Sequence, residues 1–166
     1  MIASKSKIPV IPPRSSCTCG SLRRASRRIS QYYDTVLAPL GIKSTQYSIL
    51  SEVARSGPQG PVTMCVLAAA MVMDRSTLGH NLRPLARDKL LALRLSPTDR
   101  RKRCVELTAK GVSLLRRARR MWRVAENRIE NTFGREATAE LRAALLNIAF
   151  SRELDSQPAG MTGLVD

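Results

Sequence analysis

The chain has 166 residues, with 28 Lys and Arg against 13 Asp and Glu, which leaves a formal net charge of +15. The length suits one domain with enough apolar residues for a core, and the charge favours a polyanionic partner through counterion release. A single His and scattered carboxylates supply neither a nucleophile with its base nor a carboxylate pair, which argues against an enzyme. Residues 1–16 mix Lys5, Lys7 and Arg14 with three prolines and no helical period, and read as a mobile basic arm. A long first helix then follows from Leu22, Ile29, Tyr33, Val36 and Leu40, ending near Pro39 to Gly41. Tyr47, Leu50 and Val53 mark a second helix, closed by Gly57-Pro58-Gln59-Gly60-Pro61. Thr63 is placed to cap a third, running through Leu67 and Ala70.

Asp74 caps a fourth helix in which Leu78, Leu82 and Leu85 form one buried stripe. At 100° per residue the opposite face carries Ser76, Thr77, His80, Arg83 and Arg87, and Arg75 and Asn81 belong to the same helix surface. These donors, acceptors and cations suit base edges in a major groove. Pro84 removes a helical hydrogen bond and is expected to kink the helix near His80. Leu91, Leu93 and Leu95 alternate with Ala92 and Arg94, and Val105 and Leu107 with Cys104 and Glu106, so both segments read as half-buried strands of a two-stranded hairpin. Ser96, Pro97, Thr98 and Asp99 have turn chemistry, and Arg100, Arg101, Lys102 and Arg103 follow side by side. Four adjacent cations repel one another unless phosphates or a narrow minor groove neutralise them.

A fifth helix begins after Thr108 with the stripe Val112, Leu115, Trp122, Ala125, Ile129 and Phe133, matched by Leu141, Leu145 and Ile148 on a sixth. Arg116, Arg117, Arg119, Arg120 and Arg123 crowd the fifth helix. Residues 152–166 lack a periodic face and read as a flexible tail. The longest apolar run, Met64 to Met73, is half of the roughly 20 residues a membrane span needs. A cytoplasmic location is therefore expected, with no membrane partner and no cofactor.

The order of recognition helix, hairpin with Asp99-Arg100-Arg101, and Leu107-Thr108-Ala109-Lys110-Gly111 resembles the MarR family, whose wing carries D-x-R and whose next helix starts L-T-x-x-G. The similarity extends from about Cys17 to Phe150 and implies a mainly α, winged helix-turn-helix fold of about six helices with a small β wing. It places a reading part at about 44–107 and dimerisation in 17–40 and 108–151, within a domain spanning 17–151. By that resemblance Arg101 would enter the minor groove with Asp99 orienting it. A symmetric homodimer would bind a pseudo-palindromic operator in double-stranded DNA, as a repressor released by an effector. Two positions depart from the pattern: Val72 and Lys89 stand where glycines are common, so the turns there must be strained or differently ended.

The effector is open between two chemistries. Cys17 and Cys19 fall at a helix start near Arg23 and Arg24, and helix N-termini and cations favour the reactive thiolate. Cys19 precedes Tyr33 by 14 residues, as the reactive cysteine precedes a tyrosine in the hydroperoxide-sensing branch, although Ser44 replaces that branch's second tyrosine. The alternative is a phenolic or other small acid bound between the dimer and reading parts. Cys65 and Cys104 read as packing or surface residues, and no metal site is expected. A non-specific DNA or RNA backbone binder would also explain the charge, though only six aromatic residues are present and none alternate with cations on a predicted strand.

Overall fold

A computed structural model describes residues 17–57, 60–96, 99 and 101–154. The expected basic arm, the breaker residues Pro58 and Gln59, the turn residues Pro97, Thr98 and Arg100, and the tail from residue 155 lie outside the described residues.

Helix α1 (Thr18–Leu37) starts at Cys17, whose thiol sulfur accepts the Gly20 N–H at 3.3 Å, and passes into a 3-10 turn (Ala38–Leu40) ended by Gly41 at φ 69°. Tyr33, from the expected stripe, and its neighbour Leu37 are buried, Val36 and Leu40 are half-buried, and Ile29 is exposed, because the C-terminal half of the helix is the part that meets the body of the chain. Helix α2 (Ser44–Ser56) follows directly, its Ser44 N–H donating to the Asp34 carboxylate at 2.6 Å. That hydrogen bond, then the Ser44 hydroxyl, holds the Asp34 carboxyl below the usual range.

Strand β1 (Val62–Thr63) leads into helix α3 (Met64–Ala70), where the Thr63 hydroxyl accepts the Val66 N–H at 3.3 Å as a cap. Helix α4 (Arg75–Arg87) runs on through Pro84 without a break. Leu78, Leu82 and Leu85 are buried at its inner face. Strands β2 (Leu91–Leu95) and β3 (Arg103–Leu107) form the expected antiparallel hairpin, with Leu93 opposite Val105.

The sheet nonetheless differs from a two-stranded wing. Its order is β1-β3-β2, with Val62 opposite Val105 and Thr63 opposite Cys104. As the central strand, β3 buries both Cys104 and Val105, so its burial does not alternate. On β2 only Leu91 is buried, whereas Leu93 and Leu95, expected to face inward, are 43% and 59% exposed because the hairpin projects beyond the core.

Helix α5 (Ala109–Phe133) is capped by the Thr108 hydroxyl, which accepts the Gly111 N–H at 3.0 Å and donates to the Lys89 carbonyl at 2.7 Å. A Cβ at Gly111 would lie 2.0 Å from the Leu90 carbonyl oxygen, so the seam between α5 and β2 admits only glycine without rearrangement. The expected stripe is realised in its middle: Leu115 and Ala125 are buried, joined by Ala118, and Trp122 and Ile129 are half-buried, while Val112 and Phe133 at the ends are exposed. Helix α6 (Arg135–Ala149) turns back at Gly134. Arg142 holds it to α5, bonding Glu126 at 2.6 Å and Glu130 at 2.9 Å. A short 3-10 turn (Arg152–Leu154) follows. The core lies among α1, α2, α3, α4, the sheet and the first half of α5.

Candidate nucleic-acid interface

The outward face of α4 is fixed by burial of its leucines, which leaves Arg75, Ser76, Thr77, His80, Arg83 and Arg87 exposed and Asn81 half-buried. Several of these groups are already engaged. The Asp74 carboxylate accepts from the Thr77 N–H at 2.8 Å and from the Ser76 and Thr77 hydroxyls at 2.6 Å each. Those bonds, the Ser76 hydroxyl first, hold the Asp74 carboxyl well below the usual carboxylate range. Asn81 donates back to the Thr77 carbonyl at 3.0 Å, Arg75 reaches the Cys65 sulfur at 3.4 Å, and Arg87 pairs with Asp88 at 3.0 Å. His80 and Arg83 make no hydrogen bond or ion pair among the described residues, so they present their full donor capacity outward.

A groove of roughly 540 Å³ continues this face, lined by His80, Asn81, Arg83 and Arg87 from α4 and by Lys43, Thr45 and Gln46 at the start of α2. The α2 residues escaped the sequence reading. Gly41-Ile42-Lys43-Ser44-Thr45-Gln46 does mark a helix start, but only the tertiary fold brings it beside α4.

At the wing tip, the Asp99 carboxylate accepts the Arg101 backbone N–H at 3.0 Å and lies 3.5 Å from the Lys102 ammonium. Asp99 therefore shapes the backbone under Arg101, and the Arg101 guanidinium makes no hydrogen bond to it among the described residues. Lys102 and Arg103 are exposed beside Arg101, whereas Arg100 lies outside the described residues.

Cys17 and Cys19 are exposed at the start of α1, and Tyr33 lies 14 residues beyond Cys19, roughly 21 Å along the helix axis. The phenol is buried against α5, where its O–H donates to Glu126. Burial, then that bond, raises its pKa. Tyr33 and Tyr47 both stack on Trp122, with ring centroids at 6.4 and 5.9 Å. They line a cavity of roughly 340 Å³ between α1, α2 and α5, with Glu126, Met71 and several hydroxyls. A second cavity of roughly 650 Å³ opens between α2, the sheet and α5. No cluster of three metal-ligating side chains occurs among the described residues, and no described helix is long and apolar enough to cross a membrane.

Two helices joined by the turn Met71 to Asp74, with an antiparallel hairpin carrying cations at its tip, define a winged helix-turn-helix. The sequence pattern of the MarR family matches residues 40–102. Among solved structures, the chain is similar to the transcriptional regulator MosR of M. tuberculosis, determined in complex with DNA, at 33% identity and a TM-score of 0.75, covering 85% of this chain and 99% of that one. It is 27% identical over 132 residues to the HTH-type transcriptional regulator PecS of Dickeya dadantii (strain 3937), 76% of each chain. It is also 31% identical over 87 residues to a transcriptional regulatory protein for the hcr operon of Thauera aromatica; the match spans 52% of this chain and about half, 51%, of that relative. The chain belongs to the MarR family of transcriptional regulators.

Proposed function

We propose that this regulator is a dimeric repressor that binds a pseudo-palindromic operator in double-stranded DNA and is released by an effector. The observation that carries the reading is the outer face of α4, where His80 and Arg83 stand without partners among the described residues, opposite a stripe of buried leucines. The stripe sets the helix's rotation, and the unspent donors suit purine acceptors in a major groove. Arg75, Ser76, Thr77, Asn81 and Arg87 extend that surface to base edges and phosphates. Asp99, Arg101, Lys102 and Arg103, with Arg100, form the wing that would lie along the minor groove. The structure of MosR with DNA supports the same use of this fold here.

Residues 44–107 serve as the reading part, and 17–40 and 108–151 as the dimer-forming part. Exposed Leu141, Leu145, Ile148 and Phe150 support this division, since a second copy of the chain would cover them. A non-specific backbone binder accounts for the charge and leaves the organised α4 face unused.

Selection of bound fragments from random double-stranded DNA at about 150 mM salt tests the reading. The expected result is a palindrome with half-sites about one helical turn apart, its preference over bulk DNA relaxed by His80→Ala or Arg83→Ala. Absence of any enriched motif would leave only backbone binding. One observation favours oxidation as the release signal: the Cys17 thiol is the cap of α1, with Cys19 exposed two residues on. Oxidation would remove that cap and loosen the helix start. Peroxide treatment before the selection decides it, since operator binding that survives oxidation returns the effector to a small molecule.

A further inference from the structure

The first half of α5 carries positive charge that no described side chain pairs. Arg116, Arg119, Arg120 and Arg123 fall at i, i+3, i+4 and i+7 and so share one helix face, with Arg117 beside it. All five are exposed, and none makes a hydrogen bond or ion pair among the described residues. No acidic residue lies between Ala109 and Ala125. Glu106, which shares a cavity wall with Arg116 and Arg119, is paired with Arg94 at 3.2 Å. The second half of the same helix is compensated, since Glu126 and Glu130 bond Arg142 at 2.6 and 2.9 Å. Like charges three and four residues apart weaken a helix. A face left in water keeps that repulsion, whereas a polyanion bound along it removes it.

We propose that this face of α5 is a second phosphate-binding surface, which holds double-stranded DNA flanking the operator without reading its sequence. Chemistry and position select the occupant. Guanidiniums meet phosphate oxygens with paired, planar donors. From Arg116 to Arg123 the face runs about 10 Å along the helix axis, a length over which a duplex presents about six phosphates. Strand β3 begins at Arg103 of the wing and runs into α5 with Thr108 alone between them. The close approach of Gly111 to the Leu90 carbonyl then fixes the helix against the sheet, so the wing and the arginine face are parts of one rigid body. DNA passing beyond the wing reaches the face by bending toward the chain, and the added phosphate contacts offset that deformation. The surface extends the DNA-binding reading and rests on it.

Anisotropy titrations of the full chain test the surface, with the selected operator as a duplex of about 24 bp and as the centre of one of about 60 bp with scrambled flanks, at about 75 to 300 mM salt. The expected result is binding about fivefold or more tighter on the longer duplex at about 100 mM salt. The slope of log affinity against log salt should steepen by about 2 to 4, as further phosphates shed their counterions. Arg116→Gln with Arg120→Gln and Arg123→Gln should cancel that gain and leave the short duplex bound as before; Arg120→Gln alone should remove part of it. Arg23→Gln with Arg24→Gln and Arg27→Gln, which takes the same charge from exposed positions of α1, should leave the gain intact. The proposal is overturned by a parent chain indifferent to duplex length, or by a gain that survives in the α5 variants. An equal loss on the short duplex, or in the α1 variant, overturns it as well. Scrambling the operator centre separates the two readings. Unchanged affinity there would sink the operator reading, and the salt slopes of the α5 variants on the longer duplex would still decide this surface. A preferred operator with no gain from its flanks would sink only this surface.

Discussion

Val72 and Lys89 stand at the turns on either side of α4, and both take the left-handed conformation, at φ 50° and 58°. The departures from glycine were legible in the sequence; that the turns keep their shape regardless follows from their surroundings. Lys89 is held by the Thr108 hydroxyl on its carbonyl at 2.7 Å, and Val72 N–H donates to Ala69 at 3.1 Å. A left-handed L-residue costs about 1–2 kcal/mol, most for a β-branched one, while glycine loses about 0.4–1 kcal/mol through its freer unfolded chain. Val72 is 60% exposed, so little burial is forfeited by trimming it. Val72→Gly should therefore stabilise the chain by about 0.5–1 kcal/mol, read as a higher urea midpoint. A lower midpoint would mean that the valine packs usefully in solution. Asp74 makes a different claim. Its carboxyl is depressed by the Ser76 hydroxyl and then by Thr77, so its stabilisation is present above the unfolded value near pH 4 and lost as pH falls through the folded one. Asp74→Asn keeps a capping oxygen without the charge, and should show a shallower fall in denaturation midpoint between about pH 5 and pH 2.5 than the parent chain. Parallel slopes would assign the acid sensitivity elsewhere.

Among the elements, helices were easier to read than strands because a 3.6-residue period repeats several times within each. The caps at Thr63, Asp74 and Thr108 all fall where side-chain chemistry places them. The two-residue β1 carries no period at all, and only its pairing with β3 makes it a strand. For the same reason the alternation in β2 was misleading: Leu93 and Leu95 lie on a hairpin with little protein beneath it. An apolar, projecting β2 beside a cationic tip fits a wing that presses along a groove, where methyl groups meet sugars and cations meet phosphates. Asp99 fixes the tip's backbone and leaves the Arg101 guanidinium without a hydrogen bond to it among the described residues. Arg101→Ala should weaken operator binding by about 1–3 kcal/mol in a titration at moderate salt, with the oligomeric state unchanged. Unaltered affinity would remove the wing from recognition. The exposed polar face of α4 and the cationic wing were legible in the sequence, whereas Lys43, Thr45 and Gln46, which reach α4 through tertiary packing alone, were not.

At the scale of the whole molecule, the single chain leaves too much apolar surface in water. Phe133, Leu141, Leu146 and Phe150 are each more than half exposed, and Leu145 and Ile148 are exposed beside them. The sequence announced a stripe on α6, yet a stripe does not say whether its partner is the same chain or another copy. The fold narrows the choice, because α6 is held to α5 by Arg142 while its leucines find no cover. The proposed dimer would cover this surface, since a second copy supplies an equal face by two-fold symmetry. The charge works in the same direction. With a net charge of +15 per chain, two chains joined at this face double the phosphates that can be neutralised together, and salt dependence steepens accordingly. Leu145→Glu with Ile148→Glu places carboxylates where a dry contact is proposed and replaces none of the residues of the buried core. Sedimentation should then give the mass of one chain, with helical circular dichroism retained. Operator affinity should fall together with the slope of its logarithm against the logarithm of salt, since one recognition helix would engage half the phosphates. A variant that still sediments as two chains would place the dimer contact on another surface, and a monomer with undiminished affinity would show that one reading part suffices.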